Sequence, residues 1–149
     1  MKRVLLVALA SAGLAGALPA AAQFAKPEEA IKYRQSTMSV LGAHFGRIGA
    51  MASGRAPFDG KAAAENADVV AYVSKLTFTG FVPGTEKGSK SKPEVWTEAD
   101  DFKKSAAKMQ EEVVKLNAAA KAGDLAQIKA TFGAAAKTCK SCHDDFKVQ

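Results

Sequence analysis

The chain has 149 residues, of which 48% are hydrophobic and 24% charged, with a formal net charge of +6. That balance suits one globular domain able to bury a core, and it excludes a disordered or fibrous chain. The basic excess is scattered along helical stretches, without the basic cluster and stacking aromatics of a nucleic-acid binder.

At the start, Lys2 and Arg3 precede an apolar stretch from Val4 to Leu18, and Pro19-Ala20-Ala21-Ala22 supplies small residues. This pattern predicts a secretory signal peptide over residues 1–22, cleaved after Ala22. The run is shorter than the roughly 20 apolar residues of a membrane-spanning helix, so no membrane attachment is expected after cleavage. The mature domain, residues 23–149, then carries 19 Lys+Arg (21 less Lys2 and Arg3) against 15 Asp+Glu, formally +4. Export predicts a periplasmic location.

Apolar residues recur at steps of three and four, which predicts four helices. The first opens near Pro27, with Glu28 and Glu29 at the positive end of its dipole, and is striped by Ile31, Arg34, Met38, Leu41, Phe45, Ile48 and Ala52 until Gly54 and Pro57 stop it. Asp59 caps the second, striped by Ala63, Ala67, Val70, Ser74 and Thr77 and ending before Gly80. From Phe81 to Pro93 the glycines, prolines, serines and lysines read as a surface loop. Thr97 with Asp100 resembles a capping box and opens the third helix, striped by Phe102, Ala106, Met109, Val113, Leu116 and Ala120. Gly123 closes it. Asp124 caps the fourth, whose stripe Leu125, Ile128, Phe132, Ala135, Cys139, Cys142 and Phe146 puts both thiols on the buried seam. Short connections favour an all-α, antiparallel, up-down-up-down four-helix bundle.

Two cysteines in an exported chain suggest a disulfide by default. These are three residues apart, and a Cys-x-x-Cys bridge closes too small a loop to staple a fold. Cys139-Lys140-Ser141-Cys142-His143 is instead the Cys-x-x-Cys-His pattern of c-type haem attachment. Residues three apart share a helical face, about 5–6 Å between Cβ atoms, so both thiols can reach the two vinyl groups on one side of a porphyrin. His143 then turns its imidazole to the iron. One covalent haem c per chain is expected. The competing readings are weaker: a closed zinc site needs about four ligands, and His44 is the only other histidine; a thioredoxin-like motif belongs with a βαβ pattern that is missing. Only six residues follow His143, so a sixth ligand from downstream is excluded and any distal group must come from another helix, the first being the natural source.

With this motif, the start Gln-Phe-Ala-Lys-Pro-Glu-Glu-Ala, Tyr33-Arg34-Gln35, the Pro83-Gly84-Thr85-Glu86 loop and the closing Cys-x-x-Cys-His-x-x-Phe-Lys, the whole mature chain resembles the cytochrome c′ family. That family is a known example of the up-down-up-down bundle. The resemblance implies a five-coordinate, high-spin haem with an apolar distal pocket, a homodimer formed largely through the first helices, and binding of nitric oxide and carbon monoxide. It puts Met38 at the distal site, Arg34 and Gln35 at the haem edge and its propionates, Thr85 and Glu86 in a loop near the haem, and Lys147 near the proximal face. Lys147 and Phe146 stand where many relatives have Arg and Tyr, so hydrogen bonds made by a guanidinium fork or a tyrosine hydroxyl do not carry over.

The residues support part of this by themselves. A cation on an apolar stripe needs a partner, and Arg34 finds one either in a haem propionate, the preferred reading, or in water at the bundle end. Met38 is read as an unligated distal wall rather than a sixth ligand, Met51 and Met109 as core, Trp96, Phe45, Phe102 and Phe132 as packing, and His44 as a surface or boundary residue. Two functions follow. The leading one is a periplasmic haem protein that binds nitric oxide at an open iron site, protecting the cell or buffering the gas. The other is a low-spin electron carrier with Met38 on the iron. An enzyme is disfavoured, because no carboxylate or second histidine is expected beside the distal pocket to act as acid or base.

Overall fold

The computed structural model describes residues 23–148; the signal-peptide expectation for residues 1–22 lies outside them. Five helices follow one another: α1 (Pro27–Ala52), α2 (Gly60–Thr77), a short α3 (Glu94–Thr97), α4 (Ala99–Ala122) and α5 (Leu125–Phe146), with a 3-10 turn, Phe78–Gly80, continuing α2. The four long ones form the expected bundle: α1 packs on α2, α2 on α4 and α4 on α5, and a sparser seam between α1 and α5 closes the ring. Among the described residues no helix is long and apolar enough to cross a membrane.

The helix ends follow local chemistry. Pro27 stands at the start of α1, where its missing N–H costs nothing. The Asp59 carboxylate accepts from the Ala62 N–H and that of Asp124 from the Ala126 and Gln127 N–H groups, as the sequence predicts. Gly123 ends α4 at φ 69°, and Gly54 follows α1 at φ 76°, backbone that a side chain resists.

The capping box expected at Thr97 is not made. Thr97 is instead the last residue of α3, Glu98 precedes α4, and no side chain caps α4. Asp100 faces Lys103 at 3.8 Å, so its carboxylate serves an exposed ion pair rather than the helix end. The extra turn α3 escapes the periodicity because four residues are too few to show one.

The buried apolar side chains fall into two clusters. The larger gathers Leu41, Ile48, Met51, Val70, Met109, Val113, Leu116 and Ile128 from all four long helices. The smaller, at one end of the bundle, holds Val95, Phe102 and Phe146 with Phe78, Phe81 and Trp96 against them. The smaller cluster is aromatic and edge-packed: the Phe102 ring lies 5.2 Å from that of Phe146 and 4.9 Å from that of Phe81, both steeply inclined. Where α1 meets α5, the Phe45 and Phe132 rings stack at 4.3 Å. There Gly49 gives the ring room, since a Cβ on it would stand 2.5 Å from Phe132 Cζ.

Candidate cofactor site

A cavity of about 570 Å³ touches both core clusters. Its walls include Leu41 and Met109 from the larger cluster and Val95, Phe102 and Phe146 from the smaller, with Met38, Gly42 and Phe45 from α1. The volume falls in the range of about 300–1,000 Å³ typical of ligand and cofactor pockets. The cavity opens to solvent at one side, and its apolar walls lack packing partners, which suits an occupant.

Cys139, Cys142 and His143 all line the cavity, on consecutive turns of α5. Their placement follows from helical spacing: Ile128 and Ala135, on the same stripe, are wholly buried and fix which face of α5 looks inward. The two thiols are half-buried rather than fully so, because the seam they occupy opens into the cavity. Cys139 packs against the larger cluster and Cys142 against the smaller, so the pair straddles the division of the core. Neither is in a disulfide.

Burial sets the protonation of the three donor side chains. Burial raises the Cys139 thiol above its ordinary value. Burial, with Cys139 and Asp145 nearby, pushes Cys142 up to about 11. Both therefore stay protonated thiols at neutral pH rather than reactive thiolates. His143 is exposed at the cavity mouth, and partial desolvation there, together with the neighbouring Lys147 ammonium, lowers its imidazole against a smaller opposing effect of Asp144. A neutral imidazole is the form that ligates a metal. Among the described residues no group of three or more His, Cys, Asp or Glu side chains is placed to hold a metal ion directly. A porphyrin joined by two thioethers, its iron met by one imidazole, fits this donor set and this mostly apolar cavity.

Arg34 is 2% exposed and lines the cavity. Its charge is met by the protein itself: Nη1 donates to the Gly80 carbonyl at 3.0 Å and to the Thr85 hydroxyl at 2.6 Å, and Nη2 donates to the Thr85 carbonyl and the Ser89 hydroxyl, both at 2.8 Å. The guanidinium also lies 4.7 Å from the Phe81 ring centroid and 5.6 Å from that of Trp96. Water at the bundle end is thus not its partner, and a propionate is not needed to explain its burial. Desolvation lowers its pKa, partly offset by Glu86, yet a guanidinium remains charged. Gly80 makes the close approach possible, since a Cβ there would meet the Ala30 carbonyl and Arg34 Cβ at 2.9 Å.

Gln35, Met38 and Lys147 also line the cavity. Thr85 and Glu86 do not line it. Thr85, 0% exposed, reaches the site only through Arg34 and donates its hydroxyl to the Val82 carbonyl at 2.7 Å. Glu86 is exposed and accepts from the Gly84 N–H at 2.9 Å, a bond that holds its carboxylate below the ordinary range. Their position on apolar stripes predicts only packing or core roles for Phe45, Phe102 and Met109. They pack as expected, and each also faces the cavity, which periodicity cannot distinguish from facing another side chain. His44 is the boundary residue expected, hydrogen-bonded through Nδ1 to Asn66 Oδ1 at 2.8 Å. Ser89, Lys90 and Ser91 line the cavity without having been foreseen, because loop composition carries no information about direction.

Comparison with known proteins identifies the family. The family model for cytochrome C′ matches residues 29–147. A cytochrome c′ from Rubrivivax gelatinosus is 54% identical over 127 residues, covering 84% of this chain and 98% of the relative. The crystal structure of cytochrome c′ from Rubrivivax gelatinosus superimposes with a TM-score of 0.83 at 53% identity, covering 85% of this chain and all of that one. A nitric oxide complex of a leucine-to-alanine mutant of cytochrome c prime from Alcaligenes xylosoxidans superimposes with a TM-score of 0.81 at 42% identity, covering 85% of this chain and 98% of that one. With the attachment motif lining a cavity in a bundle of the same shape, this chain belongs to the cytochrome c′ family.

Proposed function

We propose that this protein is a periplasmic mono-haem cytochrome c′ that binds nitric oxide, and also carbon monoxide, at a five-coordinate, high-spin iron, protecting the cell or buffering the gas. It is a binder rather than an enzyme. Cys139 and Cys142 form the two thioether links and His143 is the one protein ligand. When bound, the haem supplies an iron with an open sixth position for a small diatomic molecule. The observation that carries the reading is the make-up of the cavity wall, where among the described residues His143 is the only imidazole and no carboxylate occurs.

Each lining group has a role in this proposal. Met38, on α1, forms the distal wall, excluding water and limiting the size of what enters. Gln35 and Lys147 lie at the cavity edge, where their polar ends suit propionates or solvent. Arg34 has its terminal nitrogens committed to Gly80, Thr85 and Ser89, so it shapes the cavity without offering its own N–H groups to the bound gas. With no carboxylate and no second imidazole among the described residues of the wall, the site is poorly equipped for substrate turnover. Nitric oxide bound by the homologous protein from Alcaligenes xylosoxidans supports the choice of ligand. Periplasmic location follows from the basic and apolar start of the sequence, and a homodimer through α1 from family membership.

A second reading has its own observation: two thioethers, those of Met38 and Met109, line the cavity, and a thioether can ligate haem iron. The protein would then be a low-spin electron carrier. An optical spectrum of the purified holoprotein separates the two. High-spin bands in both oxidation states support gas binding, whereas a methionine-to-iron charge-transfer band overturns it. Intact-mass measurement of protein matured in a c-type-competent host tests the covalent haem itself.

A further inference from the structure

A helix end leaves its last carbonyls without intrahelical partners, and at the end of α5 these belong to the turn that carries His143. Three of them are met. The Lys147 N–H donates to the His143 carbonyl at 3.1 Å, the Lys92 ammonium to the Asp144 carbonyl at 2.8 Å, and the Lys92 backbone N–H to the Phe146 carbonyl at 2.9 Å. One residue, 52 positions before Asp144, thus supplies two of the three donors. Its ammonium also stands where the helix dipole is negative.

Lys92 is itself held. Pro93 restricts the residue before it to extended backbone. The Val148 N–H donates to the Lys90 carbonyl at 2.8 Å, and Ser91 pairs with Lys147 in an antiparallel bridge. Ser89 Oγ accepts from Arg34 Nη2 at 2.8 Å and from the Ser91 N–H at 3.2 Å. Residues 89–92 therefore form a strap running from the buried guanidinium of α1 to the last turn of α5. Without it, that turn would end in open carbonyls and fray as helix ends do. An imidazole carried on a fraying turn would not keep one orientation, and ring orientation is one of the things that tunes a metal ligand.

We infer that Lys92 is a positioning residue for the His143 imidazole, capping the ligand-bearing turn in trans and so setting the strength of the iron–imidazole bond. The inference rests on His143 being the iron ligand, as proposed above. Resonance Raman spectroscopy of the ferrous holoprotein tests it. In Lys92→Met the iron–imidazole stretching band moves to lower frequency and broadens; Lys92→Arg, which keeps a cationic donor, restores it. Lys87→Met removes a charge from the same connection, from a side chain outside the cavity wall, and leaves the band in place. A urea midpoint is measured on each variant. If Lys92→Met lowers the midpoint while the band stays at the wild-type frequency, the cap is only structural and the inference is overturned. It is equally overturned if Lys87→Met shifts the band as far, because charge alone then suffices. Should Lys92→Met yield no holoprotein, Lys92→Gln, which retains a neutral donor, is measured against the same criteria. A wild-type protein with covalent haem but no iron–imidazole band defeats the ligand assignment itself, a failure distinct from that of Lys92.

Discussion

Arg34 and Thr85, 51 positions apart, hold each other by two bonds: Nη1 to the hydroxyl at 2.6 Å and Nη2 to the carbonyl at 2.8 Å. The pair fastens the 81–93 connection to α1 at the edge of the cavity. A hydrogen bond to a charged group contributes about 1.5–3 kcal/mol, and a buried acceptor stripped of its donor costs about 1–3 kcal/mol. Arg34→Met is therefore expected to destabilise the holoprotein by about 3–5 kcal/mol and Thr85→Val, which keeps the carbonyl, by about 1–3 kcal/mol. In a double-mutant cycle read by urea denaturation the two losses will be less than additive. Full additivity would mean that the pair is not coupled.

Met38 lines the cavity, and the proposed function gives it no bond to iron. Met38→Leu conserves volume and removes the thioether, so the spectra of both oxidation states should stay high-spin and unchanged, with stability altered by less than about 1.5 kcal/mol. Loss of a band on this substitution would point to a ligand. Met38→Ala should speed gas association roughly tenfold, corresponding to about 1.4 kcal/mol off the barrier. Stopped-flow mixing with carbon monoxide measures it.

Cys139→Ala together with Cys142→Ala should prevent covalent attachment and leave a loosened bundle. The cavity that divides the core would lose its filling, and apolar walls without partners forfeit their dispersion contacts. Near-ultraviolet circular dichroism should collapse while far-ultraviolet helicity largely persists. A rigid apo-protein as stable as the holoprotein would contradict this account of the core.

Two glycines should respond oppositely to alanine. Gly133, exposed on α5 with open space around it, gains helix propensity, so Gly133→Ala should stabilise by about 0.5–1 kcal/mol. At Gly49 the new methyl meets the Phe132 ring, and overpacking costs of about 1–3 kcal/mol outweigh that gain. Thermal unfolding of the two variants should shift in opposite directions.

Asp124 caps α5, and its bonds to the Gln127 backbone and side chain, with a smaller contribution from the Ala126 N–H, depress its pKa. A carboxylate lowered in the folded state stabilises above its unfolded pKa, and that contribution fades as pH falls through the folded value. Asp124→Asn keeps a capping oxygen without the titration. Its melting temperature should approach that of the wild type as the solution is acidified, in scans of melting temperature against pH.

Residue order alone sets the four long helices, because each buries one stripe whose period is written along the chain. It also carries the Cys-x-x-Cys-His motif, whose three side chains fall within about one helical turn, and two of the three helix caps, at Asp59 and Asp124, which depend on neighbours two and three residues away. The cap at Thr97 failed because a short helix, stabilised by its packing at the aromatic end of the bundle, took that residue first. Which side chains face the cavity, rather than one another, depends on how the helices pack: Met109 and Phe102 carry the same apolar signal in either setting. The partners of Arg34 and the cap supplied by Lys92 lie beyond sequence for a related reason. Each joins groups some fifty residues apart, and no local pattern records which donor a folded chain will bring to which carbonyl.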